Sequence, residues 1–205
     1  MRVRRLTLGQ LATNCWLVDD DAGGPVLVID PADEAPEILR AIGSDPVAAI
    51  VLTHGHFDHL AAARDVQVAT GAPLLVHEAD AADITSEEGT GARLFGMTGS
   101  APPADRTFVE GDAIDAGGTR LTVLHTPGHT PGSVCLHTPG VLLSGDTLFA
   151  ASIGRTDFRG GDMTAMRRSI ARLAELPDDT RVCPGHGPET TIGRERRVNP
   201  FFPLA

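Results

Sequence analysis

Four side chains able to hold a metal lie within six residues in the stretch Thr53-His54-Gly55-His56-Phe57-Asp58-His59. Imidazole nitrogens and carboxylates are donors for zinc and other divalent first-row ions. Alternate side chains of an extended or tightly turning segment point the same way, so His54 and His56 can grip one ion while Asp58 and His59, one turn further on, face a second. Gly55 lets the backbone bend that sharply. An isolated His-x-His reads more simply as a solvated polar patch. Three later residues displace that reading: His129 in Thr126-Pro127-Gly128-His129-Thr130, Asp146 in Ser144-Gly145-Asp146-Thr147, and His186 in Pro184-Gly185-His186-Gly187. Each follows an apolar run that reads as a strand, and strand-end loops of a layered sheet converge on one edge. A carboxylate there, like Asp146 behind Val141 to Ser144, is costly unless a cation meets it.

The elements that must carry these residues are legible from periodicity. Leu6 to Leu8, Cys15 to Val18 and Val26 to Ile29 predict an opening strand meander. Asp33 is expected to cap a short helix through Ile42, ended by Gly43. Val47 to Thr53 is apolar on both alternating faces, as a strand buried between layers should be, and it empties into His54. Leu60 to Thr70 predicts a helix stopped by Gly71, with a strand from Pro73 to His77 behind it. The stretch 84–105 is rich in Gly, Ser, Thr and Pro, with Leu94, Phe95 and Met97 as a small apolar knot; it reads equally as a flap near the site or a plain surface loop. Strands resume at Thr107 to Val109, Thr119 to Leu124, Ser133 to His137 and Val141 to Leu143. Asp162 then caps a helix whose stripe Met163, Met166, Ile170 and Leu173 faces a sheet until Pro177. Two packed sheets with helices outside are implied.

A chain of 205 residues with 41% hydrophobic and 21% charged residues predicts one globular domain over 1–205. No apolar run approaches the roughly 20 residues that span a bilayer. The basic start Met1 to Arg5 lacks an apolar h-region, so no signal peptide is expected. The net charge of −10 repels polyanions and disfavours nucleic acid. Cys15, Cys135 and Cys183 are odd in number and widely spaced, which predicts buried, reduced thiols and a cytoplasmic location.

The His-x-His-x-Asp-His run with a later His, Asp and His resembles the metallo-β-lactamase-fold superfamily along nearly the whole chain. The resemblance implies an α/β, four-layer αββα sandwich. It also implies that His54, His56 and His129 hold one metal, that Asp58, His59 and His186 hold the other, and that Asp146 bridges them. Two divalent ions are expected, zinc first, with iron or manganese as alternatives. Dications sharing a water lower its pKa from about 15.7 towards 7. Asp58 and Asp146 are therefore the expected catalytic carboxylates, and a cationic pocket in an acidic protein favours small anionic substrates. Tyrosine is absent, so an oxyanion must lean on metal or backbone N–H groups.

Within the superfamily, Thr13-Asn14-Cys15-Trp16 is similar to the opening strand of glyoxalase II enzymes. Gly154-Arg155-Thr156-Asp157-Phe158 is similar to a loop shared by short glyoxalase II-like hydrolases and persulfide dioxygenases. The tail from Pro184 through Thr190-Thr191-Ile192-Gly193-Arg194-Glu195-Arg196-Arg197 to Asn199-Pro200-Phe201 resembles the short glyoxalase II-like group, which hydrolyses S-acyl thiol esters such as S-lactoylglutathione. Long members carry a basic helical extension for the glutathione peptide; here about twenty residues follow His186, so another thiol carrier fits as well. A persulfide dioxygenase would use one iron on His54, His129 and Asp146. A secreted β-lactamase of one major class would place Cys where Asp146 stands, and an RNA-processing nuclease is disfavoured by the acidic surface. Arg155 and Phe149 are the candidate substrate contacts. Against those roles stand an Arg155–Asp157 ion pair and core positions for Phe149 and Phe158. His77, His125 and His137 read as structural histidines, of which His77 alone could reach the site. Arg194, Arg196 and Arg197 read as a solvated face, and a monomer or homodimer is expected.

Overall fold

The computed structural model describes residues 1–202; positions 203–205 of the expected 1–205 domain lie outside the described residues. Runs that are apolar at every position must be buried on both faces, because successive strand side chains point to opposite sides. Cys15, Leu17, Val28, Ile50, Leu52 and Leu74 enter one core, while their neighbours Trp16, Val18, Leu27, Ile29, Val51 and Leu75 enter another. Strands β1 (Arg2–Leu8), β2 (Thr13–Asp19) and β3 (Val26–Ile29) form the antiparallel part of the first sheet. Strands β4 (Val47–Val51), β5 (Leu74–His77) and β6 (Arg106–Phe108) extend it in parallel. Parallel neighbours need crossovers. Helices α1 (Ala35–Ile42) and α2 (Ala63–Thr70) supply two of them and cover the outer face through Ile38, Ile42 and Val66.

The second sheet has the order β14-β13-β10-β9-β8-β7. Its strands are β7 (Ala113–Ala116), β8 (Thr119–His125), β9 (Val134–Thr138), β10 (Val141–Gly145), β13 (Arg181–Pro184) and β14 (Thr190–Thr191). A small hairpin of β11 (Leu148–Phe149) and β12 (Ser152–Ile153) and helix α3 (Met163–Leu173) lie between β10 and β13, and α4 (Ile192–Val198) closes the chain. Val134, Leu136, Leu143 and Cys183 meet the first sheet, whereas Cys135, Leu142 and Val182 meet Met166, Ile170, Leu173 and Ile192 of the outer helices. The order is helix, sheet, sheet, helix, the expected αββα sandwich. All three cysteines are buried and unpaired, and burial pushes the Cys135 thiol up to about 11 and the Cys183 thiol to about 12. No helix among the described residues is long and apolar enough to cross a membrane.

Several local expectations change. Asp33 does not cap α1: its carboxylate accepts from the Glu34 N–H at 2.7 Å, Glu34 takes the cap position at φ 52°, and a proline in the first turn starts the helix. Helix α2 starts at Ala63 rather than Leu60, because Phe57–His59 is a separate 3₁₀ turn. Asp162 caps α3 as expected, accepting from Thr164 N and Ala165 N, but Met163 is exposed and the buried stripe begins at Met166. Strand β7 gave no sequence signal, since Ala-Ile-Asp-Ala carries one large apolar residue; pairing with β8 recruits it. Arg194 and Arg196 are not merely solvated. Arg196 donates to the Ala174 and Leu176 carbonyls at the end of α3, and Arg194 reaches Thr190 Oγ1 at 3.3 Å.

Candidate metal centre

The strand that empties into His54 ends between the two sheets, and the Thr53 backbone decides how the histidines are held. Asp30, directly after β3, turns through the left-handed region at φ 52° and is buried. Its Oδ1 accepts from Thr53 N at 2.7 Å, and its Oδ2 accepts from Thr53 Oγ1 at 2.7 Å and from His59 Nδ1 at 3.0 Å. The Thr53 hydroxyl proton is thus committed to Asp30, so the oxygen presents a lone pair to His54 Nδ1 at 3.1 Å. In this pattern Nδ1 is the donor of both rings, and Nε2 is the atom each turns inward. His129 is held likewise, with Nδ1 donating to the Arg155 carbonyl at 2.7 Å.

The inward atoms of all seven expected residues meet where strand-end loops of the two sheets come together. His56 Nδ1 and His129 Nε2 are 2.8 Å apart, and His59 Nε2 and His186 Nε2 are 3.3 Å apart. Asp146 stands between the halves: Oδ1 is 3.3 Å from His59 Nε2, and Oδ2 is 3.5 Å from His129 Nε2 and 3.6 Å from His186 Nε2. Asp58 Oδ2 lies 3.1 Å from His186 Nε2 and accepts from Thr13 Oγ1 at 2.9 Å. The donors form three overlapping sets, His54–His56–His129, His54–His59–Asp146 and Asp58–His59–His186, each within 4.8 Å. His54 Nε2 and Asp146 Oδ1 are buried without a hydrogen-bond partner. Orphaned buried acceptors facing further nitrogen acceptors are unfavourable unless cations sit among them, so the donor set fits a pair of divalent ions.

Charge states agree with that fit. Burial, aided by neighbouring rings, holds His54 well below the usual imidazole range and His56 down to about 3, so both are neutral donors at neutral pH. Burial opposes charge on Asp58 and Asp146, but the surrounding histidines outweigh it and keep both below the usual carboxylate range. At His59 burial is outweighed by Asp146, Asp58 and Asp30, which draw a proton onto the ring that a bound cation would replace.

Close backbone approach completes the nest. A Cβ on Gly185 would stand 2.2 Å from Asp146 Oδ1, and one on Gly145, at φ 45°, would stand 2.4 Å from Thr53 Oγ1. Asp80 clips two ligand loops together, accepting from Gly55 N at 2.9 Å, Thr130 Oγ1 at 2.7 Å and Gly132 N at 2.7 Å. Burial raises its carboxyl pKa despite those bonds. Neither Asp30 nor Asp80 was singled out from sequence. Asp30 had the signal already used for Asp146, an acid directly behind a buried strand; Asp80 had none.

His56, Asp58, His129, Asp146 and His186 of the cluster line a cleft of about 830 Å³ together with Phe149, Phe158, Arg155 and residues between 88 and 95 of the 84–105 loop, which is therefore a wall of the site. Leu94 and Phe95 face outward rather than closing into a knot with Met97, and Ile84, Ala92 and Ala101 anchor that loop instead. Arg155 makes the expected ion pair with Asp157, two bonds of 2.7 Å, and its guanidinium covers the Phe158 ring at 3.6 Å. Phe149 and Phe158 are half-buried cleft residues, not core; they stand edge-on to His186 at 6.0 Å and to His56 at 5.8 Å. The hairpin carrying Phe149 is fixed by the tail, since buried Glu195 accepts from Ala151 N at 2.6 Å and Asn199 Nδ2 donates to Ser152 O at 3.0 Å. His77 does not reach the site: it stacks on His125 at 4.2 Å and accepts from Ala79 N. His125 and His137 also stay outside the cluster.

The model of the metallo-beta-lactamase superfamily matches residues 8–186. The chain belongs to that superfamily. Among its relatives, the probable metallo-hydrolase YqgX of Bacillus subtilis is 37% identical over 98% of both chains. The hydroxyacylglutathione hydrolase GloC of Haemophilus influenzae is 35% identical over 98% of both. The solved BLEG-1 B3 metallo-beta-lactamase superposes with a TM-score of 0.90 at 36% identity, covering 98% of this chain and 99% of that one. TTHA1623 in a di-iron-bound form gives 0.86 at 39%, covering 98% and 100%. ETHE1 from Myxococcus xanthus gives 0.81 at 27%, covering 98% and 84%. By kinship the chain is a metallo-hydrolase of that superfamily, and its His and Asp donors are groups able to hold a metal ion.

Proposed function

We propose that this metallo-hydrolase cleaves S-acyl thiol esters in the manner of a hydroxyacylglutathione hydrolase, with a small anionic thioester as substrate. The observation that carries the hydrolytic part is the convergence of seven donors, of which His56, Asp58, His129, Asp146 and His186 line one open cleft and His54 and His59 lie buried behind them. Full-length kinship to GloC of Haemophilus influenzae supports the thioester part. Bound there, a pair of divalent cations supplies Lewis acidity and a water whose pKa falls towards about 7. The chain's own residues do the rest. His54, His56 and His129 would hold one ion and Asp58, His59 and His186 the other, with Asp146 placed between the two groups. Thr13 and Asp30 fix the donors they bond, so little reorganisation is left for the reaction. Phe149 and Phe158 flank the cluster edge-on, at His186 and His56. Thioester hydrolysis then adds water at the carbonyl carbon, breaks the C–S bond and releases a carboxylate, a thiol and a proton.

The test is thiol release from S-lactoylglutathione by protein reconstituted separately with zinc, iron and manganese, before and after chelation. Metal-dependent release supports the reading. Absence of release with every metal, together with nitrocefin turnover, would replace it with a lactam hydrolase. The di-iron form of TTHA1623 favours keeping iron in the comparison. Oxygen uptake on glutathione persulfide by a one-iron protein would replace it with the dioxygenase.

A further inference from the structure

The walls of the cleft do not match a substrate that is polar throughout. From His56 an aromatic series leads outward to Phe158 at 5.8 Å and then to Phe95, 5.7 Å from Phe158; Phe95 packs back on buried Phe57 at 5.5 Å. The rim carries exposed apolar side chains, with Leu94 75% exposed, Phe95 46% and Leu11 42%, beside the charged Glu88 and Arg93. All of these line the same cleft as the metal-capable cluster. Of the three arginines that line it, Arg155 is paired with Asp157 and Arg159 with Asp83 at 3.2 Å, which leaves Arg93 as the lining arginine with no ion pair among the described residues. A three-carbon hydroxyacyl group would fill a small part of about 830 Å³, a volume within the roughly 300–1,000 Å³ of pockets that enclose whole drug-sized ligands.

We propose that the substrate carries an apolar arm, alkyl or aromatic, that runs from the scissile carbonyl along Phe158 and Phe95 to Leu94 at the rim. This rests on the thioester reading and adds to it a substrate class: amphiphilic thioesters whose apolar arm, rather than a peptide, supplies binding. Leu94 and Phe95 are then exposed because their partner is the ligand.

The test uses two thioester series, S-acyl N-acetylcysteamines with acyl chains from acetyl to octanoyl, and acetyl thioesters of alkanethiols of the same lengths. In one of the two, kcat/KM should rise by about fourfold per methylene until the rim is reached, the factor expected for a buried CH₂. Leu94→Ser and Phe95→Ser should flatten that slope, mostly through KM. Val68→Ser, on the exposed outer side of α2, should leave it intact. Binding without turnover is read by calorimetry of S-hexyl against S-methyl N-acetylcysteamine thioethers on metal-free protein, where the hexyl compound should bind tighter in a Leu94-dependent way. Flat slopes in both series with active enzyme overturn the apolar arm and leave the thioester reading standing. A Leu94-dependent thioether preference without thioester turnover leaves the arm standing and removes the thioester. Equal binding of the two thioethers overturns the arm.

Discussion

Replacing Asp30 with Asn tests how the chain prepares its ligands. The carboxylate accepts three hydrogen bonds, from Thr53 N, Thr53 Oγ1 and His59 Nδ1. An amide of the same shape has one oxygen. The Thr53 N–H can only donate, so the amide oxygen must stay with it and the NH₂ turns towards His59 Nδ1 and the Thr53 hydroxyl. His59 must then accept at Nδ1 and carry its proton on Nε2, the atom facing Asp146 Oδ1 and His186 Nε2 at 3.3 Å each. The Thr53 hydroxyl, released from Asp30, donates to His54 Nδ1 and moves that ring's proton to Nε2 as well. Two inward lone pairs become N–H groups. Losing one outer partner of a metal-ligating residue costs about 10–100-fold in metal affinity; two rings misprotonated together put Asp30→Asn near the upper end. Competition with a chromophoric chelator measures the loss, and circular dichroism melts report the fold. Leu173→Ala, a core truncation far from the cleft worth about 2–5 kcal/mol, is the control for general destabilisation. Wild-type metal affinity in Asp30→Asn, or an equal loss in Leu173→Ala, would refute the tautomer argument.

Four further outcomes are expected. Asp146→Ala should abolish turnover and release metal, while His137→Ala, half-buried on β9 outside the cluster, should leave both nearly intact; similar activity of the two contradicts the ligand assignment. Asp80→Asn must leave a buried donor facing an NH₂, at about 2 kcal/mol, which for a chain of this length lowers Tm by roughly 4–8 °C in a thermal melt. Gly185→Ala should fold yet lose metal, read by elemental analysis, because its methyl would overlap Asp146 Oδ1 and His59. The Glu110 carboxyl is held below its usual 4.5 by hydrogen bonds from Arg172, so the pair's contribution is complete above that pH and fades as acid titrates the folded carboxylate; Glu110→Gln should flatten that acid limb in urea melts.

Much of the site was legible because its residues follow strands whose apolar runs are unmistakable. His54, Asp146 and His186 announce themselves by following Leu52-Thr53, Leu143 and Cys183, where a polar ligand type has no packing role. The same rule, applied once more at Ile29, would have found Asp30. The mistakes share a cause. Phe149 reads both as a substrate contact and as core, and Phe158 as core, because an aromatic residue carries no mark of which surface it faces; Leu94, Phe95 and Met97 read as a knot because composition does not say which way a side chain points.

The sequence by itself determined the layered sandwich and the list of metal-capable residues, since alternation, turn residues and donor chemistry are local properties of the chain. The tertiary structure alone decided which nitrogen of each histidine faces inward, that Asp80 ties the Gly55 loop to the Gly132 loop, and that an aromatic wall leads from His56 to the rim. Those depend on contacts between segments separated by 20 to more than 100 residues in the chain, and such contacts exist only once the two sheets have closed on their shared core.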